Sequence, residues 1–138
     1  MPSICFIGNY QHYSGALEVF RGIAEHLKTQ GWHTAYAFHA ARPGDIPPDM
    51  SMFDEVRPMP LREGEDRDVY GLALAKYANA FDVVHTSLLP IDWRYTFKRH
   101  VERPMVETYH SPDGWKWCWS QYRWRLKGGH ERLADAMV

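Results

Sequence analysis

Short apolar runs that alternate with segments of helical periodicity constrain the fold of this chain more than any other feature. The first run, Ile4–Ile7, ends at Gly8 and is typical of a strand buried on both faces. After a polar loop the period changes, and one helical face carries Ala16, Phe20, Ile23, Ala24 and Leu27. Ser14 is a candidate N-cap of this helix and Gly31 a candidate residue just past its end. The pattern predicts the first half of a βαβ unit.

The same alternation continues along the chain. Further strands are predicted at His33–Ala40, Glu55–Met59, Phe81–Ser87 and Met105–Tyr109. Further helices are predicted from an N-cap at Asp66 or Asp68, over 91–101, and over 115–136 with a break at the Gly128-Gly129 pair. The first of these should bury Val69, Leu72, Ala73, Tyr77, Ala80 and Phe81, and Pro58 and Pro60 should stop the third strand. The order β-α-β-β-α-β-α-β-α predicts one α/β domain over 1–138, a Rossmann-like, doubly wound and mostly parallel sheet with helices on both faces.

Composition narrows the class of protein. The 138 residues suit one domain, and 45% apolar residues are enough for a core. A net charge of −1 gives no reason to expect nucleic acid as a partner. Cys5 and Cys118 are predicted to be unpaired thiols in a reducing compartment. No signal peptide is evident and no run reaches the ~18 apolar residues of a membrane span, so a cytoplasmic location is expected.

A histidine follows directly on the strand pattern at Met105–Tyr109. In open parallel sheets, ligands bind beyond the carboxyl ends of the strands, so His110 is a candidate active-site residue. It could instead only cap backbone groups; in the functional interpretation it donates a hydrogen bond to a sugar hydroxyl or lies beside the reacting centre. His85 ends a neighbouring strand pattern, and with His110 and Asp113 it would offer metal ligands. Their spacing matches no ligand signature, so no metal is predicted.

The loop between Gly8 and Gly15 lies where α/β proteins hold phosphates. The backbone N–H groups and the positive end of a helix dipole meet at Ser14, Gly15 and Ala16. The glycine spacing is not that of a dinucleotide fingerprint, and no Gly-Lys-Ser/Thr motif of a P-loop follows. A structural turn and an anion site both stay open.

Four tryptophans and a surplus of positive charge mark the segment Trp115–Lys127 and the residues just after it. Residues 115–132 hold five basic residues against the single acidic residue Glu131. The rings could pack a helix against the sheet, form a peripheral contact with an anionic membrane surface, or offer an aromatic platform to an acceptor. All three interpretations are kept.

Three stretches in this order resemble the amino-terminal domain of family 4 glycosyltransferases, which are retaining enzymes of the two-domain GT-B architecture. They are the strand-loop-helix start with Ser14-Gly15-Ala16, the strand Asp82-Val83-Val84-His85, and Thr108-Tyr109-His110-Ser111. The run 132–138 also looks like the family's approach to its last amino-terminal strand. The resemblance spans nearly the whole chain, although each motif alone is loose.

The resemblance implies roles for particular residues. Gly15 matches the second glycine of the family's Gly-Gly loop, near the donor diphosphate, and Ser14 replaces the first glycine. His110 matches the strand-end histidine that contacts the transferred sugar. Asp82 and His85 match a motif that is more often structural than catalytic, and Ser87 stands where a second histidine is frequent. Ala16 and Asp113 join the expected donor-binding set, and Tyr10, His12 and Tyr13 the expected acceptor surface.

The resemblance also implies what lies outside this chain. The family binds its nucleotide sugar mainly through a carboxy-terminal domain with a basic pair and a Glu-x7-Glu motif, and the resemblance, which is to the amino-terminal domain, assigns neither feature to residues of this chain. The chain is therefore expected to be half of an enzyme, inactive alone, with a nucleotide sugar and an acceptor as substrates and no other cofactor. The alternatives are a non-catalytic module that binds an acceptor or partner, and half of a nucleotide-sugar epimerase.

Overall fold

The computed structural model describes residues 1–8, 15–40, 46–61, 64–87, 91–108 and 136–137. In chain order the elements are β1 (Ser3–Gly8), α1 (Gly15–Thr29), β2 (His33–Ala40), β3 (Glu55–Pro60), α2 (Arg67–Ala78), β4 (Val83–Thr86), α3 (Ile91–His100), β5 (Met105–Glu107) and β6 (Ala136–Met137). The strands form one sheet in the order β3-β2-β1-β4-β5-β6, and every pairing is parallel. The predicted Rossmann-like α/β fold is confirmed.

The central strand β1 distributes its side chains between two hydrophobic cores. Ile4 and Phe6 pack with residues of α1, whereas Cys5 and Ile7 pack with residues of α2 and α3 on the opposite face. This follows from the two-residue period of a strand, which sends neighbouring side chains to opposite faces of the sheet. An apolar run such as Ile4–Ile7 therefore needs helices on both faces, as the structure has them.

Most of the apolar face predicted for α2 is wrong. Val69, Leu72, Ala73 and Ala80 are exposed, whereas Tyr77 is partly buried and Phe81, just past the helix, is buried. The helix instead buries Tyr70, Gly71, Leu74, Ala75 and Ala78. Apolar residues lie on both sides of this helix, so periodicity alone could not choose between them. The deciding feature is Gly71: a Cβ built there would lie 2.7 Å from the carbonyl oxygen of Trp93. The missing side chain lets the backbones of α2 and α3 approach closely.

The third strand also differs from its prediction. β3 continues through Pro58 and Pro60, both of which keep register with β2. Proline is tolerated in a strand at the edge of a sheet because its missing N–H can face away from the ladder. β3 is such an edge strand, so the two prolines do not stop it and leave it poorly suited to pairing with another chain.

Most other boundaries agree with the prediction. Asp66 caps α2, Gly31 has the positive φ of 81° expected just past α1, and Cys5 is buried as a free thiol whose pKa is raised by desolvation. Ala136 lies in a strand and not in the predicted helix over 115–136, the rest of which is outside the described residues. No helix in the described ranges is long and apolar enough to cross a bilayer.

Two glycine substitutions test the close packing of α2 on α3. Gly71→Ala should lower the free energy of unfolding by about 1–3 kcal/mol, because the new methyl group meets backbone atoms that cannot rotate away. Gly22→Ala in α1 meets nothing within 4 Å and should raise that free energy by about 0.5–1 kcal/mol. Urea unfolding of both variants measures the difference. Equal stability of the two variants would contradict the proposed close contact.

Candidate functional site

The sheet has a topological switch point between β1 and β4. From β1 the chain proceeds outward to β2 and β3, then returns to place β4 on the other side of β1. Because all strands are parallel, β1 ends at Gly8, β4 at Thr86 and β5 at Glu107 along the same edge. Ligands of open α/β sheets bind in the crevice at this edge, beside the switch point.

The structure describes only some of the residues predicted for the site. Gly15 and Ala16 are the first two residues of α1, the helix that follows β1, so they lie at the carboxyl edge. Ser14, His110, Asp113, the acceptor candidates Tyr10, His12 and Tyr13, and the segment Trp115–Lys127 lie outside the described residues. The described ranges thus bring together Gly15, Ala16, His85 and the strand that immediately precedes His110.

A glycine is required where β1 enters the candidate phosphate loop. A Cβ built on Gly8 would overlap the phenol ring of Tyr36, whose Cζ would be 2.8 Å away. Tyr36 comes from the neighbouring strand β2 and stacks between Phe38 and Phe53 at centroid distances of 5.1 and 5.2 Å. Burial raises the pKa of the Tyr36 phenol, so its hydroxyl stays protonated at neutral pH. The Tyr36 ring therefore packs directly against the backbone at the end of β1.

His85 is buried within the fold. Its ring lies 5.4 Å from that of Phe6 and 5.0 Å from that of Phe20, which belongs to α1. Its Nε2 atom is 2.5 Å from the hydroxyl oxygen of Thr108. No group of side chains with metal-binding geometry occurs among the described residues. The histidine thus connects α1 and β1 to the end of β5.

Asp82 lies at the opposite edge of the sheet. Its carboxylate accepts hydrogen bonds of 2.9 Å from both the backbone N–H and the hydroxyl of Ser3, at the start of β1. These bonds hold the pKa of Asp82 below its usual value. The residue ties β4 to β1 at their amino ends, far from the candidate site.

A buried ion pair at the carboxyl edge was missed by the sequence analysis. The ammonium group of Lys98 in α3 contacts the carboxylate of Glu107 in β5, and both side chains are almost completely buried. Glu107 is in register with Thr86, whose buried hydroxyl has no hydrogen-bond partner among the described residues. Lysine near the end of a helix usually points to solvent, so the sequence gives no reason to expect that Lys98 is buried in an ion pair. The available signal was Glu107 itself, because a carboxylate in a buried strand needs a partner.

The arrangement combines several features of a ligand site. The positive end of the α1 dipole lies at Gly15 and Ala16 and suits an anion. Thr86 ends β4, and Ser87 and Thr108 follow β4 and β5; all three residues are buried. A separate groove of about 560 Å³ runs along α1 beside residues 49–52, where Arg21 pairs with Glu18 and Asp49. No protein-family model matches the chain, and no curated protein is significantly similar to it.

The Lys98–Glu107 pair predicts a characteristic set of stabilities. Lys98→Met should destabilise the fold by about 3–5 kcal/mol, because it leaves the Glu107 carboxylate buried without its ammonium partner. Adding Glu107→Gln to that variant should recover most of the loss, since no buried charge of the pair then remains. Urea unfolding of the two single variants and the double variant gives the coupling. Additive losses would contradict a direct interaction.

Proposed function

We propose that this chain is the acceptor-side domain of a retaining glycosyltransferase, which transfers a sugar from a nucleotide-sugar donor to an acceptor hydroxyl. The observation that carries the proposal is the switch point between β1 and β4. Gly15 and Ala16 begin α1 at the same sheet edge where β5 leads towards His110. Of the motifs that resemble family 4 glycosyltransferases, Gly15, Ala16 and His85 thus lie towards this edge, which supports the proposal.

In this proposal the donor diphosphate lies beside the first turn of α1. Its negative charge grows as the bond from the anomeric carbon to the phosphate oxygen breaks, and the helix dipole stabilises that charge. Ser14, Gly15 and Ala16 present backbone N–H groups to the phosphates. The glycine at position 15 allows this close approach because it has no side chain.

The remaining roles belong to the sugar and the acceptor. His110, with Asp113 nearby in sequence, contacts the transferred sugar, and Tyr10, His12 and Tyr13 contribute to the acceptor surface. The acceptor hydroxyl attacks the anomeric carbon from the face that the diphosphate leaves, gives its proton to the departing diphosphate, and forms the new glycosidic bond. A second domain supplies most donor contacts, and its closure over the crevice excludes water. Trp115–Lys127 provides a peripheral contact with an anionic membrane.

The function can be tested with two histidine variants of the full-length protein that contains this chain. Release of nucleoside diphosphate from a panel of nucleotide sugars, with mixed acceptors, identifies the donor. His110→Ala should then lower kcat by about 100-fold or more, because the variant loses a contact to the reacting sugar. His26→Ala changes an exposed histidine near the end of α1 and should leave kcat unchanged.

The products formed and the turnover of the two variants distinguish the possible functions. Glycoside formation that depends on His110 supports the transferase. An epimerised nucleotide sugar without transfer would replace it with an epimerase of the same architecture. Absence of turnover with every donor, or equal turnover of the His110→Ala and His26→Ala variants, would contradict the proposal.

A further inference from the structure

We infer that His85 is a positioning residue of the candidate site, one that fixes the first turn of α1 and the end of β5 relative to each other. The inference rests on the proposed function, because it assigns His85 to the two sides of that crevice. It differs from any role as a metal ligand or catalytic group. The ring is buried, and it contacts Phe6, Phe20 and Thr108, which belong to three other segments of the fold.

The first connection consists of tilted and edge-on contacts between the imidazole and two phenyl rings. Phe20 follows Ala16 by four residues and so lies one turn further along the same side of α1. Its ring is 5.0 Å from that of His85, at an interplanar angle of 63°. Phe6 in β1 contacts both rings, at 5.1 Å from Phe20 and 5.4 Å from His85. The start of α1 is thereby packed against the end of β4.

The second connection is polar and reaches β5. Nε2 of His85 lies 2.5 Å from Oγ1 of Thr108, and the Thr108 N–H donates to the carbonyl of Thr86 at 3.0 Å. Glu107, the preceding residue, projects to the opposite face and is held there by Lys98. The end of β5 is therefore held on both faces of the sheet and through its backbone.

These contacts act on His110 through a very short connection. His110 follows Thr108 by two residues in the sequence, and the proposed function assigns it to the reacting sugar. A small displacement of a group at the reacting centre can lower a rate substantially. The ring contacts and the hydrogen bond of His85 together set the separation between α1 and the end of β5.

Two substitutions of His85 distinguish its ring contacts from its hydrogen bond, and substitutions of Thr108 and Thr34 serve as checks. His85→Phe keeps a ring against Phe20 but removes the hydrogen bond to Thr108. His85→Gln keeps a nitrogen at comparable reach but removes the ring. Thr108→Val removes the hydroxyl at nearly constant shape, and Thr108→Ser retains it. Thr34→Val is the matched control, because Thr34 is equally buried but bonds Met52 and Asp54 near the amino edge.

The measurement is the NMR spectrum of the folded chain, with backbone amides and the His110 imidazole as probes. In His85→Phe and Thr108→Val, the signals of Thr108 and His110 should move while those of Gly15 and Ala16 stay. In His85→Gln, the signals of Gly15 and Ala16 should move while those of Thr108 and His110 stay. Thr108→Ser should resemble the wild type, and Thr34→Val should move neither group. No turnover is needed, so this outcome is independent of whether the proposed reaction is found.

Two results would overturn the inference. One is an unchanged His110 imidazole signal in both His85→Phe and Thr108→Val. The other is the same set of shifts in Thr34→Val, which would indicate general loosening of the fold. If Thr108→Val does not fold, the comparison of His85→Phe with His85→Gln still decides the matter. Once a donor is known, His85→Phe in the full-length protein should lower kcat more than it raises KM.

Discussion

The pairing of β1 on both of its sides is the constraint on which this fold depends. β2 and β4 occupy its two edges, and side chains from α1 on one face and from α2 and α3 on the other cover it. A strand enclosed in this way must be apolar at nearly every position, which Ile4–Ile7 satisfies. Because β2 and β4 lie on opposite sides of β1, the direction in which successive strands are added to the sheet reverses beside Gly8. The pairing of β1 on both sides thus determines both the fold and the place of the candidate site.

Buried polar groups then organise the edge that the switch point creates. Lys98 and Glu107 form an ion pair in the interior, and His85 and Thr108 form a hydrogen-bonded pair on the other face. Interior charges and polar groups stabilise little unless their partners are well placed, and they cost much when a partner is lost. Such pairs therefore specify one position for the end of β5 more than they add to stability. A fixed position for the end of β5 is expected beside a site whose functional groups must be held in place.

The sequence predicted the parts of the fold that local patterns determine. The apolar runs located the strands, and the cap at Asp66 and the turn at Gly31 located helix ends. The buried face of α2 was not predictable, because Gly71 reveals its role only when α3 packs against it. The pair Lys98–Glu107 joins residues of two elements, and no local pattern links them. Of the predicted site residues, Gly15 and Ala16 could be placed, and His85, which was not among them, ends a strand at the same edge; the sequence indicated that common edge through strand order alone.

The claim that a ligand occupies the β1–β4 switch point is tested most directly by hydrogen exchange of the protein with and without each nucleotide sugar of the donor panel. The account predicts slower exchange at the carboxyl edge, in peptides that include Gly15 and Ala16, Thr86 and Ser87, and Thr108. Protection confined to the groove between α1 and residues 49–52, with exchange at the carboxyl edge unchanged, would contradict it.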